Sequence, residues 1–97
     1  MDAADIIQTL EREFATLKDR FGVKSLGLFG SIARGDATPT SDVDILVEFE
    51  RPVGLFDLAR LRRHLVDLLG RPVDVGTPAS LRPRLRRAAL DEAIRAA

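Results

Sequence analysis

The sequence contains no cysteine, tryptophan or tyrosine, and a single histidine, His64. Without cysteine there is no disulfide framework, no thiolate metal site and no cysteine nucleophile. One histidine leaves a zinc centre almost without ligands. No apolar run approaches the about 18 residues that a membrane span requires. The opening MDAADIIQTLERE is acidic and amphipathic, without the basic and apolar regions of a signal peptide. The expectation is a cytoplasmic protein with no membrane segment. Net charge is absent too, with 15 basic against 15 acidic residues. With neither a basic excess nor tryptophan or tyrosine to stack on bases, direct nucleic-acid binding is disfavoured. Any chemistry falls to carboxylates, arginines, hydroxyls and backbone amides.

What is present is the composition of one globular domain: 97 residues, 45% hydrophobic and 31% charged. We read residues 1–97 as a single domain. The neutral total hides an asymmetry, because residues 1–50 hold 10 acids and 5 bases while residues 51–97 hold 5 acids and 10 bases. Such a split can mark an acidic site in one half and a partner-facing surface in the other, or simply two halves that neutralise each other.

Hydrophobic spacing gives the order of elements. Ile6, Ile7, Leu10, Phe14 and Leu17 fall on one face of a helix over about Ala3 to Phe21, stopped by Gly22. Val23 to Phe29 reads as a strand covered on both sides, broken by Gly30-Ser31 and followed by a short helical turn that Gly35 ends. Residues 36–41 are loop chemistry. From Asp42 to Glu50 the pattern alternates, with Val43, Ile45, Val47 and Phe49 on one face and Asp42, Asp44, Leu46, Glu48 and Glu50 on the other. Leucines at helical spacing run from Gly54 to Leu69, with His64 out of step and expected at the surface. Residues 71–76 form a short strand in which Asp74 faces away from Val73 and Val75. From Leu81 to the end the spacing of Leu85, Ala88, Ala89, Leu90 and Ile94 predicts a helix. The class is therefore α/β or α+β: a small mixed β-sheet with packed helices.

Two features in this frame carry chemistry. Asp42 and Asp44 stand two apart on a strand, so they point the same way with Cα atoms roughly 6.6 Å apart, at about 3.3 Å of rise per residue. If the later strand lies beside this one, Asp74 joins the pair. Oxygen ligands of this kind suit Mg²⁺, which is usually held by one or two carboxylates together with substrate phosphates. Two such ions about 3.5–4 Å apart can clamp the attacking and leaving oxygens of a displacement at phosphorus. Alone, Asp-x-Asp more often marks a turn residue and solvent-side strand residues, since motifs this short recur by chance. The second feature is Gly30-Ser31, at a strand-to-helix junction. Glycine there allows close approach of a ligand, and exposed amides with the Ser31 hydroxyl suit an anion. An ordinary turn is the alternative. Arg34 could reach a phosphate or an acceptor, or could simply pair with Asp36.

The combination is more specific than its parts. Gly30-Ser31, ten residues, then Asp42-Val43-Asp44 is similar to the signature of the nucleotidyltransferase superfamily that includes DNA polymerase β. The string GSIARGDATPTSDVDILVEF resembles the minimal nucleotidyltransferase (MNT) family in particular, and Asp74 in RPVDV falls where that family places a third carboxylate. The resemblance spans roughly residues 23–76. One departure is Ile45, where the family usually has leucine.

The resemblance implies a nucleotidyltransferase fold. It also implies that Gly30 and Ser31 bind the nucleotide's phosphates, that Asp42 and Asp44 bind two Mg²⁺ ions, and that Asp74 holds the catalytic metal and helps deprotonate the acceptor. ATP is the implied substrate. Proteins of this kind are commonly the antitoxins of HEPN/MNT toxin–antitoxin modules, which implies AMP transfer from ATP to a tyrosine hydroxyl of a HEPN ribonuclease toxin, and a hetero-oligomer with that toxin. Arg82, Arg84, Arg86 and Arg87, crowded into six residues, would suit a partner surface or a solvated helix face. Two alternatives remain: a non-catalytic antitoxin that neutralises by occlusion, and nucleotidyl transfer to a small molecule.

Overall fold

The computed structural model describes residues 2–38, 40–80, 83, 84, 87 and 94–96. The chain begins with helix α1 (Ala3–Phe21) and strand β1 (Val23–Phe29), followed by the short helix α2 (Gly30–Arg34). Strand β2 (Val43–Phe49), helix α3 (Leu55–Leu69), strand β3 (Val73–Gly76) and strand β4 (Ile94–Arg95) complete it. The strands form one mixed sheet in the order β3-β2-β1-β4. β1 is antiparallel to both β2 and β4, and β2 is parallel to β3.

The two long helices start where the sequence provides a cap. Asp2 Oδ1 accepts from the Asp5 amide at 3.0 Å, and Asp5 Oδ2 accepts from the Asp2 amide at 3.2 Å. This reciprocal capping box satisfies donors that the first turn of α1 leaves unpaired. α3 has half of that device. Gly54 has no side chain to offer, but Asp57 Oδ2 accepts from the Gly54 amide at 3.2 Å, and Asp57 also pairs with Arg60. Those two contacts hold the Asp57 carboxyl below its ordinary pKa, the Gly54 amide contributing most.

The alternation expected for β2 is what builds the core. Val43, Ile45 and Val47 are fully buried against Ile6, Leu10 and Leu17 of α1 and Leu61, Leu65 and Leu69 of α3, with Val23, Leu26 and Leu28 from β1. The other β2 residues, including Asp44, face the opposite side of the sheet. Arg62 extends from α3 to donate to the Val73 carbonyl at 2.9 Å, fixing the helix to the start of β3. Among the described residues no helix is long and apolar enough to cross a membrane.

Two expectations are corrected. The C-terminal segment does not stay helical to its end. Pro83, Arg84 and Arg87 have helical backbone, but Ile94 and Arg95 form β4, in register with Leu28 and Gly27. The Ala96 amide adds a bond to the Leu26 carbonyl at 2.9 Å. An open edge of β1 offers unpaired backbone groups, and satisfying them outweighs the local helical pattern. The expected contacts of Leu85, Ala88, Ala89 and Leu90, and the placement of Arg82 and Arg86, lie outside the described residues. His64, expected at the surface, is instead half-buried against Phe21, with ring centroids 5.2 Å apart.

The Asp57 cap yields a pH-dependent prediction. A carboxyl with a depressed pKa in the folded state stabilises above its ordinary pKa, and that contribution is lost as pH falls through the folded value. Asp57→Ala is expected to lower Tm at pH 7. In calorimetry across an acid series, the gap from the unmodified protein should close as Asp57 becomes protonated.

Candidate functional site

β2 is the central element of the site because it has a neighbour on each side. In the antiparallel ladder Asp44 is in register with Phe29, the last residue of β1, and in the parallel ladder it is in register with Asp74. The condition set by the sequence is thus met: β3 lies beside β2 and places Asp74 directly across from Asp44. Asp42 sits one residue ahead of β2 and is exposed, as is Asp74, while Asp44 is half-buried.

The chain leaves β1 through Gly30, which enters α2 with φ at 73°. That value lies in the left-handed region, which side chains with a Cβ rarely adopt. Space imposes a second constraint. A Cβ at Gly30 would lie 2.9 Å from Asp44 Cγ and 3.2 Å from Asp44 Cβ, and closer still to its Oδ2. The Asp44 side chain therefore lies against the Gly30 backbone, in the volume a side chain would take. Next in sequence, Ser31 is half-buried, and its carbonyl accepts from the Asp36 amide at 3.1 Å, closing the turn that ends α2.

Electrostatics report the same convergence. The Asp44 pKa is raised, first by burial and then by the negative charges of Asp74 and Asp42. The Arg34 guanidinium opposes them and favours the charged form. Arg34 pairs with Asp36, as the sequence allowed: its Nε lies 3.3 Å from Asp36 Oδ2 at the surface. Its field also reaches Asp44.

Like charges in a shared site favour a cation, and the donor set is entirely carboxylate oxygen, which suits a hard ion such as Mg²⁺. Among the described residues no three His, Cys, Asp or Glu side chains close into a ready-made metal cage. Mg²⁺ does not need one. It dehydrates reluctantly and commonly keeps waters and substrate phosphates beside one or two carboxylates. The residues fit an ion that arrives with a phosphate substrate better than one held permanently by protein.

The sequence profile of the nucleotidyltransferase domain family matches residues 10–96. The chain belongs to that family. A protein of Methanocaldococcus jannaschii, named as a candidate protein adenylyltransferase, is 42% identical to this nucleotidyltransferase over 88 residues, 91% of this chain and 95% of that one. The protein adenylyltransferase MntA of Thermococcus cleftensis is 42% identical over 78 residues, 80% of this chain and 79% of its own. Among solved structures, a candidate minimal nucleotidyltransferase superposes with a TM-score of 0.80 at 41% identity, covering 97% of this chain and 95% of that one. A toxin–antitoxin complex with AMP-PNP gives a TM-score of 0.75 at 21% identity, over 90% of this chain and 72% of its own, a likeness of fold. The expected nucleotidyltransferase fold is thereby established.

Sequence reasoning singled out Gly30, Ser31, Asp42, Asp44, Asp74 and Arg34. It missed that Gly30 makes room for Asp44, and it missed Arg71. Nη2 of Arg71 donates to the Ser41 carbonyl at 2.6 Å and to the Thr38 carbonyl at 3.4 Å, across 30 and 33 residues of sequence. No local pattern announces a contact over that separation.

Three substitutions test the packing of this corner by calorimetry. Gly30→Ala combines backbone strain with a clash against Asp44 and should cost about 1–3 kcal/mol or more. It should also abolish transfer. Gly35→Ala supplies the control, since Gly35 also has positive φ but an added methyl group there would meet nothing within 4 Å. It should lose stability and keep activity. Asp44→Asn removes a repelled, partly desolvated charge and should raise Tm at pH 7 while transfer is lost.

Proposed function

We propose that this nucleotidyltransferase transfers AMP from ATP to a tyrosine hydroxyl of a HEPN ribonuclease toxin, and so acts as the antitoxin of a toxin–antitoxin pair. The observation that carries the catalytic half of this reading is the register of Asp44 opposite Asp74, with Asp44 resting on the Gly30 backbone. A binding protein has no use for three mutually repelling carboxylates; a phosphate-transfer site does. The acceptor half rests on relatives. The Thermococcus protein is named a protein adenylyltransferase. Folds of the same kind occur in MntA–HepT complexes and in a complex of tri-AMPylated Shewanella oneidensis HEPN toxin with its MNT antitoxin.

In this mechanism the Gly30 backbone and the Ser31 amide and hydroxyl bind the phosphates of ATP. Asp42 and Asp44 would hold two Mg²⁺ ions, one of them shared with Asp74; when bound, these supply charge neutralisation to the phosphates and to the acceptor oxygen. Arg34, exposed at the end of α2, offers a guanidinium to a phosphate or to the acceptor. The acceptor oxygen attacks the α-phosphorus, its proton passes toward Asp74, and the bond to the departing pyrophosphate breaks. Much of the acceleration in such a transfer comes from orientation and preorganised charge.

The decisive experiment is co-expression with the product of the adjacent gene, where that gene encodes a HEPN-like protein, followed by intact-mass measurement of that partner. AMP increments are expected with the unmodified nucleotidyltransferase, and none with Asp42→Asn or Asp44→Asn. An unmodified partner that still co-purifies as a tight complex would replace transfer by occlusion as the mode of neutralisation.

A further inference from the structure

Asp42 stands one residue outside β2, at the end of a loop, so the sheet ladder reaches it only through Val43 and its other flank needs a separate hold. The loop has its own turn. The Ser41 amide donates to the Thr38 carbonyl at 3.0 Å, and Ser41 Oγ accepts from the Thr38 amide at 2.8 Å. These bonds shape the loop without fastening it to the body of the domain. Among the described residues, the dipeptide Arg71-Pro72, which leads into β3, supplies the fastening. On one side of Asp42, Arg71 Nη2 donates to the Ser41 carbonyl at 2.6 Å. On the other side, the Val43 amide donates to the Pro72 carbonyl at 2.9 Å. The backbone on both flanks of Asp42 is thus gripped by the residues that immediately precede Val73-Asp74.

We propose that Arg71 is a positioning residue for nucleotidyl transfer, setting Asp42 in place relative to Asp74 by clamping the Ser41 carbonyl. It acts on the backbone, through the contacts of its Nη2 with the Ser41 and Thr38 carbonyls. A planar guanidinium suits the task, since one nitrogen reaches both the Ser41 and Thr38 carbonyls and the fork loses little freedom per bond formed. The Val43–Pro72 bond is a ladder contact that any residue at position 72 could supply. The Arg71 contact depends on its side chain, which makes it testable.

The inference rests on the carboxylate roles proposed above, and the experiment separates the two. Mn²⁺ is the probe, its affinity measured by EPR in the presence of AMP-PNP for the unmodified protein, Arg71→Ala and Arg71→Lys. Amide hydrogen exchange is followed at Ser41 and Val43 and, as a reference, at Leu28 and Val47 in the core strands. Arg71→Ala should weaken Mn²⁺ binding about tenfold or more, the usual effect of removing a group that orients a ligand. Exchange at Ser41 and Val43 should accelerate while exchange at Leu28 and Val47 stays nearly unchanged. Arg71→Lys, which keeps a donor, should recover part of the loss, and added guanidinium far below denaturing concentrations should do so in Arg71→Ala. Unchanged Mn²⁺ affinity beside a loosened loop would overturn the proposal. So would an affinity loss that tracks global loosening of Leu28 and Val47 and that neither lysine nor guanidinium repairs. Failure of the unmodified protein to bind Mn²⁺ with AMP-PNP would instead overturn the carboxylate assignment, and this inference with it.

Discussion

The constraint on which this structure turns is the repulsion among Asp42, Asp44 and Asp74. Carboxylates crowd together only when something else holds the backbone that carries them. Here that is the sheet. Asp44 is fixed in its central strand by ladders on both sides, and Asp74 is carried beside it in the parallel ladder. The burial of Val43, Ile45 and Val47 on the opposite face anchors the same strand into the core. Each buried valine or isoleucine that keeps β2 in register also keeps Asp44 facing the site, because a slip by one residue would exchange the two faces.

The apolar and polar halves of the domain are therefore two sides of one arrangement. α1 and α3 supply the leucines that cover the core face, and Arg62 joins α3 to the beginning of β3. The site side is left to short connections: Gly30 with no side chain, the tight turn closed at Asp36, and the loop that ends at Asp42. The raised pKa of Asp44 is the electrostatic counterpart of this design, a local cost of ionisation that a bound cation would relieve.

Much of this was legible in the sequence because it is local. Period-3.6 leucines marked α1 and α3, and alternation marked β2 and so the common direction of Asp42 and Asp44. The Asp74 contribution was legible only as a condition, since spacing along a chain does not state which strands are neighbours. What was not legible was non-local. β4 arises because β1 has an edge to be paired, which outweighs the helical spacing around Ile94. His64 is half-buried because Phe21, at the end of another helix, lies against it. Arg71 reads as one arginine among 13 until the fold brings it to Ser41. Gly30 was recognised for what it lets approach from outside, whereas the structure shows what it admits from within.

The parallel pairing of β2 with β3 has a consequence for how the protein comes into being. Parallel neighbours cannot be joined by a tight hairpin; the chain has to travel back across the sheet, here through α3. The antiparallel pairing of β1 with β2 can bring Gly30 and Asp44 together early, from nearby sequence. Asp74 reaches them only after the whole crossover has been ordered, a contact of high sequence separation that carries its full loop-closure entropy. The acidic corner is thus built from one contact that is close in sequence and one that is distant. A chain in which α3 has not yet carried β3 back beside β2 exposes carboxylates but no complete site.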